Sequence, residues 1–463
     1  MVSSARRLWA ATGVLSVVLL LVVGALGTSA AVVPLDPGRQ DLADPWLVTG
    51  LMTLAVGLGA GCLVAGLHAH RGGWRPDPRV LLAAGAVATV ALLAVPPLGN
   101  GDVGSYAAYG RTASLGLSPY TTVPAQLSDD PVAQAAEPPW QDQVSVYGPV
   151  ATAVHLAAAE LGQDSREAVL RLLAASAAAA FLAVGALLGR RAADPVRAHL
   201  LWTCNPLLLL HLVASAHVDV LLCLALLLAV TARPSPVRTG LALGVAGCVK
   251  VTAVLSALAL LLAHRRRAVL PLVVSGAVVL GLYGAVGGGT ALAPVLQARS
   301  RVSAGTPWRW VASALERVLP EDLARTLVGV GVGVLLLLLA RVLHRDLPAA
   351  EPFLRASAVL WLAYLFAAGY QLAWYDAVGF LLLALLAASR WDGLLVAHTT
   401  VLTVAYLPGR LVPLPDALDT TLVVARSVLC PLVIGGLWLL AARRARVRAA
   451  RGPRTRSSPT SRR

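Results

Sequence analysis

The sequence predicts an all-α, polytopic membrane protein of about 12–14 transmembrane helices, with a long loop after the third. Three observations carry this. Hydrophobic residues make up 57% of the chain and charged residues 13%, about half the charged share of a soluble domain. Apolar stretches of roughly 15–25 residues, the length that crosses ~30 Å of hydrocarbon, recur from end to end. No sustained two-residue alternation supports a membrane barrel. No stretch suits a soluble domain of useful size.

The first apolar stretch, about 8–27, follows Arg6-Arg7 and precedes the small residues Gly27-Thr28-Ser29-Ala30. It is longer than the ~7–15-residue apolar run of a secretory signal, so it reads as an uncleaved first helix. Further spans fall near 46–67, 79–98, 167–189, 199–214, 217–232, 268–287, 326–343, 354–371, 374–389, 393–408 and 421–442. Two short apolar pieces, near 239–249 and 251–263, flank Lys250. They form either a re-entrant hairpin with Lys250 at its outer tip or one long helix with Lys250 in mid-membrane.

Cytoplasmic loops gather basic residues. On that rule Arg6-Arg7 place the N-terminus inside. Arg71, Arg75 and Arg79, then Arg190-Arg191-Arg197, Arg265-Arg266-Arg267 and Arg341-Arg345, do the same for later loops. The loop 99–147 carries Asp102, Asp129, Asp130, Glu137 and Asp142 against Arg111 alone, and belongs outside. An odd number of crossings must then separate Asp102 from Arg190, yet two apolar stretches, 149–162 and 167–189, lie between them. Either 149–162 lies in the interface or dips in and returns, or the Arg190 cluster is outside.

Residues 1–442 read as one transmembrane domain. The tail 443–463 has nine arginines and no acid, more than half of the net charge of +15. It reads as a disordered basic cytoplasmic end that touches anionic lipid heads, not nucleic acid. Cys62, Cys204, Cys223, Cys248 and Cys430 all fall in apolar stretches without CxxC spacing. They read as small buried hydrophobes, with no disulfide or metal site implied.

Candidate chemistry begins in Gly101–Tyr120, where an apolar run stops at Val95-Pro96-Pro97-Leu98 and Asp102 follows at the membrane edge. Asp102 either starts an interfacial helix as a cap or abstracts a proton from a sugar hydroxyl as a phosphate leaves. Lys250 is the only lysine of the chain. A lone ammonium in an apolar stretch either meets a phosphate or snorkels to a headgroup. In NPLLLLHLVASAHVDVLL, Asn205-Pro206 can break a helix. His217 and Asp219 then fall at the outer junction of two spans, beyond His211. They bind donor or relay a proton, or form a plain polar turn. The loop 288–324 places Arg299, Arg301, Arg309 and Arg317 with Trp308 and Trp310 on the outer side. These clamp a lipid phosphate or form an interfacial anchor belt. Trp374-Tyr375-Asp376, after Tyr370-Gln371, suits sugar binding or caps the next helix.

Taken in order, D-V-x-S-Y-A-A-x-G at Asp102–Gly110, G-L-x-P-Y at Gly116–Tyr120, Trp140 with Tyr147-Gly148-Pro149, Asn205-Pro206 with His211, Ala216-His217-x-Asp219, Lys250 and Trp374-Tyr375-Asp376 span some 275 residues. This ordered set resembles bacterial GT-C glycosyltransferases. Within them it is most similar to the actinobacterial polyprenol-phosphomannose-dependent α-1,6-mannosyltransferases. The resemblance implies a GT-C-like bundle and an inverting, metal-independent transfer of mannose on the extracytoplasmic face. The donor would be a polyprenyl-phosphate sugar, the acceptor an α-1,6-mannan of a lipoglycan, and no cofactor is expected. It implies that Asp102 is the catalytic base. Lys250, Arg299, Arg301 and Arg309 are the candidate donor-phosphate contacts. Tyr106, Tyr109, Tyr120, Tyr147, His217, Asp219, Trp374 and Asp376 are the candidate substrate contacts. The rival classes are a lipid or sugar transporter, which predicts internal repeats, and a noncatalytic scaffold of envelope synthesis, which makes Asp102 dispensable.

Overall fold

A computed structural model describes residues 2–36, 42–232, 235–298 and 301–450. Arg299 and the tail beyond 450, both singled out in the sequence, lie outside the described residues. The described chain is a bundle of helices, with one isolated bridge between Val32 and Leu98.

Among the described residues, six helical stretches are by length and composition apolar enough to cross a membrane: Val2–Ala25, Pro45–Arg71, Arg166–Arg191, Val251–Ala285 (which turns back at Arg265), Glu321–Asp346 and Asp416–Arg443. A seventh is the pair Pro195–Leu201 and Pro206–Ala214, bent by 45°. Five shorter apolar helices accompany them: Pro78–Leu93, Asp219–Thr231, Pro236–Val249, Pro352–Ala367 and Ala373–Leu385. The chain is thus an all-α polytopic membrane protein, as the apolar runs predict. Many starts are written locally. Asp44, Asp77, Asp194, Ser235 and Glu351 each accept a free N–H of the first turn, ahead of a proline that needs no partner.

The core lies where Arg166–Arg191, Asp219–Thr231, Pro352–Ala367 and Asp376–Leu385 meet, around Phe181, Trp202, Trp361 and Phe380. Peripheral helices do the reverse. Leu337 and Leu338 of Glu321–Asp346, and Val273 and Leu280 of the stretch 251–285, point outward, as suits a hydrocarbon solvent. One arginine that the sequence reads as a cytoplasmic marker behaves otherwise than its loop position suggests. Arg197 is buried and grips Asp392 with two nitrogens, while also donating to the carbonyls of Leu383 and Leu386.

Three features position the candidate site. The first is the break at Asn205. Its side chain accepts the N–H groups of Leu207 and Leu208, and Pro206 has no N–H to give. A π-helical turn, Leu209–Ala214, follows and delivers the loop Ser215–Val218.

The second is a lacing of backbone segments beside that loop. Leu98 donates to Ala214, Gly99 to Ala31, Val33 to Pro97 and Arg410 to Ala30. Gly99 has φ +103°, a conformation that side chains resist. The Arg410 side chain holds the carbonyls of Ser29 and Val32 at 2.7 and 3.0 Å and the carboxylate of Glu137 at 2.6 Å.

The third is a helix reversal at Lys250. Pro236–Val249 ends there because Lys250 is extended, at φ −152° and ψ 130°. Gly240 packs on Pro271 and Val274, and Gly244 on Ser275 and Val278, so Pro236–Val249 and Val269–Ala285 run parallel. The intervening helix Val254–His264 must therefore return, and the chain turns again at Arg265, where φ is +39°. Of the two sequence readings, this is the hairpin with Lys250 at its tip.

The helix Pro149–Gly162 has 14 residues, a rise of about 21 Å, short of the ~30 Å core. It packs along Asp102–Ser114, where Gly110 lies directly against the His155 backbone. That packing suits an interfacial segment.

Candidate active site

Asp102 opens the helix Asp102–Ser114 immediately after the lacing. Its backbone N–H is received by the Asn100 side chain at 2.8 Å. The cap is therefore supplied by Asn100, and the Asp102 carboxylate is free of that duty. Gly104, one turn in, lies so close to the Ala135 carbonyl that no side chain fits. That contact seats the helix against the loop that follows it.

The π turn brings His217 to the same place. Its Nε2 meets the Asn100 amide, its Nδ1 lies 3.2 Å from the Tyr106 hydroxyl, and Asp102 Oδ2 is 3.7 Å from the same nitrogen. Trp374 stacks on the imidazole at 4.0 Å and 15°. Tyr106 is itself sandwiched, with His155 parallel at 4.8 Å and Tyr147 edge-on at 5.1 Å. Asp102, Tyr106, Tyr147, His217 and Trp374, separate in sequence, thus form one group.

Lys250 reaches the same group from the hairpin tip. Its Nζ is 2.8 Å from Asp219 Oδ1 and 3.6 Å from the centroid of the Tyr375 ring. Asp219 lies two residues after His217, so the carboxylate that holds the ammonium and the imidazole come from one short segment. Arg301 belongs to the segment before the helix Pro307–Leu315. It lies 4.9 Å over the Trp140 ring and donates to Gln143 Oε1 at 3.4 Å. Gln143 in turn accepts the Tyr109 hydroxyl through its backbone carbonyl at 3.1 Å.

The Asp102 side chain keeps 18% of its surface open. Burial pushes its pKa up to about 7; Asp219 and Glu137 push the same way, and Lys250 pulls against them. A carboxylate so placed is about half deprotonated at neutral pH and basic enough to accept a proton. The ammonium and guanidinium nearby can meet a developing anion.

Three other candidates are placed elsewhere. Asp376 turns into the core, where its Oδ2 receives Thr399 at 2.7 Å and lies 2.8 Å from His398 Nδ1. Tyr120 lies behind the Lys250 tip, bonded to Thr152 at 2.9 Å and packed with Cys248 and Tyr283. Arg309 is exposed on the helix Pro307–Leu315. Its neighbours Trp308 and Trp310 anchor that helix to the carbonyls of Ala367 and Ser427. His211 is bonded to Thr403 at 2.8 Å.

Asn100 and Gln143 escaped the sequence reading. Asn100 had a faint signal, as an amide between two glycines just before the edge carboxylate. Gln143 had none.

No solved structure matches the chain. A probable alpha-(1->6)-mannopyranosyltransferase of Mycolicibacterium smegmatis is 34% identical over 238 residues, covering 49% of this chain and 42% of that protein. The match therefore spans less than half of that relative's length. The family described as alpha-(1->6)-mannopyranosyltransferase, N-terminal domain, matches residues 10–266, a range that includes Asn100, Asp102, His217, Asp219 and Lys250. Over more than half its length, therefore, the chain fits that description, and it belongs to the alpha-(1->6)-mannopyranosyltransferase family.

Proposed function

We propose that the protein transfers mannose from a polyprenyl-phosphate donor to a growing α-1,6-mannan of a cell-envelope lipoglycan, on the extracytoplasmic face, with Asp102 as general base. The observation that carries this reading is the joint placement of a partly open carboxylate of raised pKa with two cations, Lys250 at a helix tip and Arg301 in the segment before Pro307–Leu315. Family membership supports the sugar and the linkage.

In this reading Asp102 takes the proton of an acceptor hydroxyl. The freed oxygen forms the bond to the anomeric carbon while the bond from that carbon to the phosphate oxygen breaks. The phosphate leaves with the electron pair, so a β-linked donor gives an α-linked product. Lys250 and Arg301 stabilise the departing charge, which lets the reaction proceed without a metal. Asp219 holds the ammonium, and Tyr375 supports it from below. Tyr106, Tyr109, Tyr147 and Trp374 wall the sugar, and the prenyl tail lies between helices in lipid.

The direct experiment incubates purified full-length protein with polyprenyl-phosphate mannose and an α-1,6-oligomannoside. The reading expects an acceptor longer by one α-1,6-linked mannose, formed equally well with a chelator present. Transfer only from a nucleotide sugar, or none from either donor, contradicts it.

A further inference from the structure

Asn100 lies beside the carboxylate but takes no part in the reaction described above. Its side-chain oxygen accepts the Asp102 N–H. An amide oxygen cannot donate, so this bond fixes which end of the side chain is which. The NH2 end then faces His217 Nε2, and it can only donate. Nε2 is therefore the bare nitrogen, and the ring proton sits on Nδ1. That nitrogen faces the Tyr106 hydroxyl at 3.2 Å and the Asp102 carboxylate at 3.7 Å. Asn100 is 5% exposed and His217 0%, so bulk water does not replace either partner.

We propose that Asn100 is a positioning residue: it holds His217 as the Nδ1–H tautomer, so that a donor and not a lone pair faces the Asp102 carboxylate. The other nitrogen of a histidine commonly sets the task of the first in this way. The opposite tautomer would set a lone pair against the carboxylate and turn it from the acceptor. Trp374 keeps the ring in plane. The remaining charged groups facing Asp102 are Lys250, Asp219 and Glu137. The proposal rests on the reading of Asp102 as the base.

The test is Asn100→Asp. The new carboxylate still accepts the Asp102 N–H but accepts where the amide donated, which draws the ring proton to Nε2. With polyprenyl-phosphate mannose and an oligomannoside, kcat should fall about 10- to 100-fold while the donor KM holds. On a His217→Phe background the stack on Trp374 persists and there is no tautomer to set. There Asn100→Asp should cost less than about twofold. A residue acting only through its charge, or through the turn it caps, lowers kcat equally on both backgrounds. That result overturns the proposal, as does native kcat in the single variant.

The nitrogen spectrum of histidine-labelled protein reads the tautomer without any substrate. It should show His217 protonated on Nδ1 in the native enzyme and on Nε2, or on both, in Asn100→Asp. Native His217 protonated on Nε2 overturns the proposal whatever the activity. Native enzyme with the Nδ1–H tautomer but no transfer from the mannose donor counts against the functional reading instead.

Discussion

Lys250 Nζ and Asp219 Oδ1 lie 2.8 Å apart, linking the end of Pro236–Val249 to the start of Asp219–Thr231, and both side chains are largely buried, at 14% and 3% exposure. A snorkelling lysine would seek the headgroups; this one is held by a carboxylate and an aromatic ring. Removing one member of a buried pair leaves the other uncompensated, at a cost of about 3–5 kcal/mol. Lys250→Met should therefore lower thermal stability. It should also raise the donor KM about 10- to 100-fold, the value of one charged hydrogen bond. The double variant Lys250→Met with Asp219→Asn should regain much of the stability and none of the donor affinity. If donor affinity returns along with stability, the lysine serves the fold alone.

Arg301 and Arg309 occupy the same loop region but different surroundings. Arg301→Ala removes the cation over Trp140 and should weaken donor use about 10-fold. Arg309→Ala should change transfer by less than about twofold. Equal effects of the two in steady-state kinetics would remove Arg301 from the phosphate site and favour an anchor belt.

The pH profile follows from Asp102. Its pKa is raised to about 7 by burial, with Lys250 opposing. The base is the deprotonated form, so kcat/KM should level off above about pH 7 and fall about tenfold per unit below it. Glu137 raises this pKa, so Glu137→Gln should move the acid limb to lower pH. Lys250→Met removes the opposing charge and should move it to higher pH. A limb that stays fixed in both variants belongs to another group.

Sidedness rests on the distribution of acidic and arginine-rich loops. Ser128 is exposed in the loop before the helix Pro149–Gly162. A cysteine there should react with an impermeant thiol reagent in intact spheroplasts, whereas one at Ser457 should not. Four of the five native cysteines are buried, which keeps the background low. The reverse pattern puts Asp102 in the cytoplasm and removes access to an outer-leaflet donor.

What the sequence reveals here divides by range. Apolar length betrays the spans, and Asn205-Pro206 betrays the break, because both depend on neighbouring residues. The edge carboxylate and the single lysine are visible as ionisable groups where lipid makes them costly. Their partners are not visible. Asn100 and His217 are 117 positions apart, and Arg301 meets Gln143 across 158. Asp219 and Asp376 look alike in sequence, each opening a short apolar helix. One meets Lys250, and the other turns inward to His398 and Thr399. The π turn, which sets where His217 points, has no local signature in a run of leucines.

The central claim is that Asp102 accepts the proton, and Asp102→Asn tests it most directly. The amide keeps the shape but cannot act as base. The cap at this helix comes from Asn100, so the substitution forfeits only the attraction of an acid to the helix start, about 0.3–1 kcal/mol. Thermal stability, donor binding and transfer are measured on one preparation. The account predicts a folded protein that binds polyprenyl-phosphate mannose and transfers it about 100- to 10,000-fold more slowly. A folded Asp102→Asn protein that transfers mannose at the native rate contradicts it.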